Sequence, residues 1–293
     1  MEKSQTGNEN VNDITGNYVS DSYSLRNEGY DWVSVSVKRN SADEIFISVR
    51  SRADKKKPTC TFDTKAYKSS DSTYIAVEEG KNIEIQFHSN TVEIKTEKPE
   101  DEAVLYFYCS GGATVAGTYL KIYESLDSVQ IDQTTFSKVQ RLQDVGFHVS
   151  AKPVGNQQEL EIYPFGLSLT NQTTKHLVDG KIVDAEVEDL DSDGFPEVLV
   201  YTESPDKKGN VIGISVNNEK TVSYITFPSI NENQEIRKGY KGEDEFTIIE
   251  TSLARQFPIF ENGIKSGKTR QIQYKMESDG KAKKFVVKNI TDF

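Results

Sequence analysis

Residues 33–37 read Val33-Ser34-Val35-Ser36-Val37, an alternation that puts the apolar side chains on one face of an extended strand. The same period of two recurs in runs that lie about ten residues apart, separated by the Gly, Asn and Ser pairs of turns. These runs are Ile45, Ile47 and Val49; Ile83, Ile85 and Phe87; and Val92 and Ile94. Short strands at this spacing predict a sandwich or a barrel.

A second series of strand patterns follows residue 134. Its apolar pairs and triplets include Phe147 and Val149; Leu160 and Ile162; Val198 and Val200; Ile212, Ile214 and Val216; and Phe285 and Val287. No stretch of the sequence carries a helical stripe over more than two turns, although residues 230–238 are compatible with one short helix. The sequence therefore predicts an all-β fold with two antiparallel β domains in tandem.

Polar segments set the predicted domain boundaries. Residues 1–17 are rich in Asn, Ser, Thr and Gly, a composition that cannot pack a core and predicts a disordered tether. Residues 124–133 are also polar and predict a linker. The two β domains are accordingly expected over residues 18–123 and 134–293.

Composition limits the classes of partner. The net charge is −11, and nucleic-acid binding is driven by Lys and Arg on phosphates, so we expect no nucleic-acid partner. An acidic balance favours basic partners through long-range attraction. No apolar run approaches the roughly 18 residues of a membrane-spanning helix.

Two cysteines, Cys60 and Cys109, both lie in strand-like contexts. The three His are scattered, so a disulfide is a better interpretation than a metal site, and it indicates an oxidising compartment. The polar start is interpreted as that of an exported lipoprotein trimmed of its signal and lipid-bearing Cys, located in the periplasm or at the cell surface. A cytosolic protein with a floppy terminus is the alternative.

The most specific motif is an acidic loop. It reads Asp189-Leu190-Asp191-Ser192-Asp193-Gly194-Phe195-Pro196-Glu197 and offers carboxylates at positions 1, 3, 5 and 9 with the Phe195 carbonyl at position 7. Hard oxygen ligands at this spacing suit a structural Ca²⁺, although Val200 stands where an EF-hand has its bidentate Glu. The alternative is an acidic turn whose Asp side chains cap backbone N–H groups.

Two further loops are candidates for binding a protein partner. Residues 202–210 connect two strong strands and carry Lys207, Lys208, Gly209 and Asn210 at their tip. Such a tip could enter a cleft lined with carboxylates, and it equally has the composition of a solvated hairpin turn. Residues 109–119 combine small residues with hydroxyl groups, which suits either close approach of a partner or a tight β connection.

A catalytic constellation is hard to assemble from this sequence. His88 and His148 alternate with apolar strand residues, as structural histidines do, and His176 lies in a different context. Neither a Gly-x-Ser-x-Gly elbow nor a His-Glu-x-x-His motif occurs. The many carboxylates do not exclude the catalytic pair of a glycosidase. We predict a protein without enzymatic activity.

The second half, residues 134–293, resembles the bacterial periplasmic inhibitors of invertebrate-type lysozyme. Four segments carry the resemblance, in order along the chain: 178–197, 238–246, 253–260 and 270–275. The resemblance implies an antiparallel β domain, often a homodimer, that inserts a loop into the lysozyme cleft. The residues that it places at or beside the inserted tip are Ser204, Lys207, Lys208, Gly209, Asn210 and Val211, with Asn210 and Val211 where family members carry Ser and Tyr.

The first half resembles the barrel inhibitors of vertebrate-type lysozyme through its Cys pair and the stretch from Ser110-Gly111-Gly112 to Tyr119. This resemblance makes Ser110 and Tyr119 candidate partner-binding residues. The sequence as a whole predicts an exported lysozyme inhibitor that acts by occlusion. A calcium-stabilised module that binds glycan or another envelope component is the alternative.

Overall fold

The computed structural model describes residues 13–279 and 282–293. The chain divides between Gln133 and Thr134 into two compact units. The all-β prediction is confirmed, because strands make up most of both units and the helices are short. In the part of the chain that the structure describes, no helix is long and apolar enough to cross a membrane.

Eight antiparallel strands close the first unit into a barrel. The barrel closes where its first strand pairs with its eighth, with Asn17 opposite Ile122. In chain order the strands are β1 (Gly16–Val19), β2 (Val33–Arg39), β3 (Glu44–Ser51), β4 (Thr61–Lys68), β5 (Thr73–Glu78), β6 (Lys81–Phe87), β7 (Thr91–Thr96) and β8 (Gly117–Ile122). Two 3-10 turns, Asp21–Glu28 and Pro99–Asp101, and one helix, α1 (Ala103–Phe107), interrupt them.

Alternation along the strands fills the barrel. The Val side chains of β2 and the Ile side chains of β3 and β6 point inward and are buried in one cluster. Leu105 of α1 packs into the same cluster. The predicted disulfide is confirmed, because Cys60 and Cys109 are bonded and fix the second residue after α1 beside the start of β4.

Two predicted boundaries differ from the structure. The predicted tether covers residues 1–17, of which residues 1–12 lie outside the described part, but Gly16 and Asn17 belong to β1. The predicted linker, residues 124–133, packs on the first unit: Gln130 accepts a 3.0 Å hydrogen bond from the indole N–H of Trp32, and Ile131 pairs with Arg52. The sequence did not predict structure at Gly16–Asn17 or in residues 124–133, because both segments are polar and are held by backbone pairing and only a few apolar contacts.

The second unit has two sheets. A four-stranded antiparallel sheet has the order β12-β11-β10-β9, and an eight-stranded sheet has the order β13-β14-β15-β16-β20-β19-β18-β17. The strands of the first sheet are β9 (Phe136–Leu142), β10 (Val145–Val154), β11 (Gln157–Phe165) and β12 (Thr174–Asp179). Those of the second are β13 (Lys181–Glu188), β14 (Glu197–Glu203), β15 (Gly209–Asn217), β16 (Thr221–Thr226), β17 (Glu245–Ile249), β18 (Ser252–Glu261), β19 (Ile264–Asp279) and β20 (Ala282–Asp292).

The eight-stranded sheet is built from two antiparallel meanders, β13–β16 and β17–β20, which meet where β16 and β20 pair in parallel. The segment 230–238, in which the sequence is compatible with one short helix, holds the short helix α2 (Gln234–Arg237) and, before it, a 3-10 turn, Ile230–Glu232. Asn233 accepts from the backbone N–H groups of Glu235 and Ile236 and so begins α2.

Strand β14 is buried on both faces, which explains its continuous apolar sequence. Val198 and Val200 pack into a cluster shared with the four-stranded sheet, whereas Leu199 and Tyr201 pack into the cluster formed with β18–β20. The hairpin that β14 forms with β15 therefore emerges from the most deeply packed strand of this unit.

The outer strands of the eight-stranded sheet, β13 and β17, approach each other without forming a ladder. Glu186 of β13 bridges them: its Oε2 accepts the Ile248 N–H of β17 at 2.9 Å and the hydroxyl of Tyr201. One carboxylate thus nearly completes a second closed sheet.

Candidate functional site

The β14–β15 hairpin ends in a five-residue turn, Ser204–Lys208. The Ser204 N–H donates to the Lys208 carbonyl at 2.9 Å, and the Lys208 N–H donates to the Ser204 hydroxyl at 3.1 Å. Lys207 adopts φ +61°, the left-handed conformation that closes the turn. The turn is therefore hydrogen-bonded within itself, with Ser204 as a structural residue at its base.

The residues predicted to contact a partner differ in accessibility. Lys207, Lys208 and Asn210 are exposed, and the Lys208 ammonium pairs with Asp206 at 2.6 Å. Gly209 is half-buried, and Val211 is 5 % exposed within the core. Val211 therefore stabilises the sheet and is not accessible to a partner in this conformation, which corrects the role that the resemblance implies for it.

The loop between α2 and β17 supports the hairpin tip. Asp244 accepts the Gly209 N–H at 2.7 Å, and the Glu243 N–H donates to the Lys207 carbonyl at 2.6 Å. Gly242 has φ +96°, and a Cβ there would lie 2.4 Å from the Lys207 carbonyl oxygen. This close approach requires glycine, so the loop and the tip are fitted to each other.

A buried ion pair fixes that supporting loop. Arg255 Nε donates to Asp244 Oδ1 at 2.6 Å, and the two side chains are only 2 % and 0 % exposed. Tyr240 donates its hydroxyl to Asp244 Oδ2 at 2.6 Å and accepts from Arg255 Nη2 at 3.0 Å. Burial and the hydrogen bond to Asp244 raise the pKa of the Tyr240 phenol, so it remains a donor at neutral pH.

A second arginine holds the start of the same loop. Arg270 makes a two-pronged ion pair with Asp292, with both N···O distances 2.7 Å. Its Nη1 donates to the carbonyls of Glu235, Ile236 and Lys238 at the end of α2. The Glu235 carbonyl also accepts from the Lys238 N–H at 3.3 Å, and the guanidinium supplies charge-assisted hydrogen bonds to all three carbonyls at the end of the helix. Sequence reasoning did not single out Asp244, Arg255 or Arg270, although all three lie in the segments that carry the resemblance.

A polar groove of about 600 Å³ lies beside the tip. Its lining includes the rings of Phe227 and Tyr240, the amides of Asn210 and Asn231, and the cationic side chains of Lys208 and Arg237. The groove and the hairpin tip therefore form one continuous surface patch, which we call the tip patch.

The acidic loop between β13 and β14 is tightly folded. Asp189 accepts from the N–H groups of Asp193, at 3.1 Å, and Gly194, at 2.9 Å, while Asp193 Oδ1 accepts from the Phe195 N–H at 2.9 Å. Glu197 is fully buried, and its Oε2 accepts from the Leu190 N–H at 2.8 Å. These are the capping hydrogen bonds of a turn.

The same loop also assembles possible metal ligands. Oxygen atoms of Asp189, Asp191 and Glu197 lie within 4.8 Å of one another, which is close enough for one ion. The ammonium of Lys283 lies against this cluster, 2.7 Å from Asp191 and 3.0 Å from Glu197. The donor chemistry fits Ca²⁺, but a protein cation is already in contact with it.

Ser110 and Tyr119, the candidate binding residues of the first unit, do not both lie at the surface. Tyr119 is 4 % exposed and donates its hydroxyl to the Val115 carbonyl at 2.9 Å inside the barrel. Burial raises its pKa to about 12. Ser110 is exposed next to the disulfide, and its N–H donates to the Thr59 carbonyl. Tyr119 is thus a core residue, which corrects the binding role implied for it.

Comparisons with known proteins leave the family open. Neither a family model nor a curated protein matches this sequence. A solved structure, the GH32 β-fructofuranosidase BmSUC1 of Bombyx mori, is similar over 87 % of this chain and 60 % of that chain, at 9 % identity and a TM-score of 0.30. The chain spans less than two thirds of that enzyme, and a likeness at this level carries no argument about activity.

Proposed function

We propose that this protein is an exported inhibitor of lysozyme, most suited to the invertebrate type, that blocks the catalytic cleft with the β14–β15 hairpin. One observation carries the proposal: the tip is exposed, carries two lysines, and is supported from behind by Asp244 and Glu243. A tip held in one conformation loses little conformational entropy on binding. The confirmed disulfide supports a location in the periplasm or at the cell surface.

Charge complementarity supports the same target. Glycosidase clefts contain a pair of carboxyl groups that flank the scissile bond. Within the residues that the structure describes, the Lys207 ammonium has no ion pair or hydrogen bond. Its charge acts on Glu243, which is already paired with Lys265, so the exposed ammonium can still contact a partner. Ion pairs formed in a cleft from which water is excluded are stronger than those at an open surface.

A turbidity assay tests this proposal. Invertebrate-type, vertebrate-type and goose-type lysozymes would be assayed on bacterial cell walls with and without the purified protein. The double variant Lys207→Glu/Lys208→Glu should weaken inhibition by about tenfold or more, which is a loss of about 1.4 kcal/mol or more of binding free energy. Lys220→Glu is the control, because Lys220 is exposed in the turn that follows the opposite end of β15. Full activity of all three lysozymes at saturating protein would refute the proposal.

A second candidate function, binding of an envelope glycan, is favoured by the groove of the tip patch. Aromatic rings beside amide and hydroxyl groups suit the apolar faces and hydroxyls of sugars. Tyr240 and Asn231 supply both kinds of group. Calorimetric binding of soluble peptidoglycan fragments without any lysozyme would favour this function, and Asn231→Ala should weaken it. Sedimentation of the same samples tests the homodimer that the resemblance implies.

A further inference from the structure

Lys283 is a buried lysine in a strand remote in sequence from the acidic loop. It lies at the start of β20, and the parallel pairing of β20 with β16 places it opposite Ile225. Lys283 is 5 % exposed. A buried ammonium is unfavourable unless charged and hydrogen-bonding partners surround it. The role of Lys283 can therefore be inferred from the groups that contact its ammonium.

Three carboxylates surround the ammonium. Lys283 Nζ lies 2.7 Å from Asp191 Oδ2, 2.7 Å from Asp193 Oδ2 and 3.0 Å from Glu197 Oε1. An ammonium has three donors and no acceptor, so each donor has one carboxylate. The distances are those of charge-assisted hydrogen bonds. Glu197 Oε1 also accepts from the Ser215 hydroxyl at 2.7 Å.

The candidate metal ligands and the partners of Lys283 share two side chains. Asp191 and Glu197, which belong to the cluster that could hold a metal ion, are the same side chains that contact Lys283. A Ca²⁺ bound 2.3–2.6 Å from their oxygens, the usual Ca²⁺–oxygen distance, would lie against the ammonium and be repelled by it. Ca²⁺ and Lys283 are therefore alternatives at this place.

We propose that the ammonium of Lys283 serves as the built-in cation of the acidic loop, so that the loop folds without metal, and that removal of this ammonium turns the loop into a divalent-cation site. Electrostatics agree with the geometry. Burial lowers the pKa of Lys283, but hydrogen bonds to Asp191 and Asp193 and the charge of Glu197 outweigh it, and the pKa is raised.

The ligands for such a variant site are already in place. Asp191 Oδ1 is buried and accepts no hydrogen bond from the residues that the structure describes. It would be available to an ion together with the oxygens that Lys283 vacates. Lys283→Met removes the charge and keeps a long unbranched side chain.

Calorimetric titration with CaCl₂ after chelator treatment tests the proposal. The wild-type protein should give no binding heat, and its melting temperature should not change in millimolar Ca²⁺. Lys283→Met should bind one Ca²⁺ per chain, with a dissociation constant of about 0.1–1 mM as in extracellular calcium modules, and should melt at a higher temperature when Ca²⁺ is present. Lys284→Met is the matched control, because Lys284 is the next residue and exposed; it should behave as wild type.

The wild-type protein decides the outcome if Lys283→Met does not fold. An ¹⁵N-edited spectrum of the lysine ammonium groups should contain one signal protected from exchange with water, unchanged in millimolar Ca²⁺. Stoichiometric Ca²⁺ binding by the wild type, or loss of that protected signal when Ca²⁺ is added, would overturn the proposal. So would a folded Lys283→Met protein that neither binds Ca²⁺ nor gains thermal stability from it.

Discussion

Asp244 holds the backbone of Gly209: one carboxylate oxygen accepts the Gly209 N–H at 2.7 Å while the other accepts from Arg255 at 2.6 Å. A single buried side chain therefore connects the hairpin tip to β18. Gly209 is fitted to it, since a Cβ at this position would lie 2.6 Å from Asp244 Cβ. The position of the tip depends on residues that never reach the protein surface.

Replacement of Asp244 should uncouple the tip from the sheet. Asp244→Asn keeps the shape but leaves the Arg255 guanidinium buried without its counter-ion, which costs about 3–5 kcal/mol. We expect urea denaturation to show this loss of unfolding free energy, and the turbidity assay to show weaker inhibition. Glu245→Gln, a change at the exposed neighbouring residue, is the control. A stability equal to that of wild type would contradict the structural role of this pair.

Glu186 should matter to the seam between β13 and β17. Glu186→Ala leaves the Ile248 N–H and the Tyr201 hydroxyl without their acceptor, and an unsatisfied buried donor costs about 1–3 kcal/mol. Amide hydrogen exchange at Ile248 should become faster, and the unfolding free energy should fall. Glu261→Ala, at an exposed position at the end of β18, should change neither. Unchanged exchange at Ile248 would show that backbone pairing alone holds the seam.

Two histidines of the four-stranded sheet should make stability depend on pH. Burial lowers the pKa of His148, against the opposing charge of Glu161, and burial also lowers the pKa of His176. The unfolded chain binds protons more readily, with a pKa of about 6.5. Stability from these groups is therefore fully present above about pH 6.5 and is lost as the pH falls through their lowered folded-state values.

Substitution of both histidines should flatten that dependence. The double variant His148→Gln/His176→Gln should show a shallower decrease in the urea midpoint between about pH 7 and 5. His88→Gln, at an exposed position after β6, should retain the wild-type slope. An equal slope in all three proteins would mean that carboxylates alone determine the acid response.

Loss of the disulfide should destabilise the first unit selectively. Cys60 and Cys109 are separated by 49 residues, and a loop of this size contributes about 4 kcal/mol on the chain-entropy model. Trp32 is the single tryptophan of the chain and is buried in the first unit. Its fluorescence should report a large loss of the unfolding free energy of the first unit in the double variant Cys60→Ser/Cys109→Ser. Amide exchange at Val200, in β14 of the second unit, should not change. A wild-type fluorescence transition would contradict this prediction.

Local patterns predicted the strands well and the roles of some side chains poorly. Alternation identified β2, β3 and β6, and the continuous apolar run identified β14, because each strand shows its burial in its own sequence. Strand β1 was missed, since its four residues include Gly16 and Asn17. The resemblance placed Val211 at a binding surface, but the packing of β15 on the β18–β20 layer buries it.

Lys283 shows the limit of sequence reasoning most clearly. Lys283 is in phase with Phe285 and Val287, so the period of two places it on their face of the strand, but lysines are rarely buried, and nothing near residue 283 points to the acidic loop. Its role arises only when β16 and β20 pair in parallel and bring distant segments together. The acidic motif therefore predicts an external ion, because the ammonium that contacts three of its carboxylates is not encoded nearby.

The position of β20 as the last strand of the second unit affects when that unit can fold during synthesis. The acidic loop leaves the ribosome ninety residues before Lys283, and Asp292, the partner of Arg270, emerges later still. Until those residues are available, the clustered carboxylates of a nascent second unit lack the ammonium that contacts them, and the Arg270 guanidinium lacks its counter-ion. We therefore expect stable folding of this unit to wait until β20 has been made.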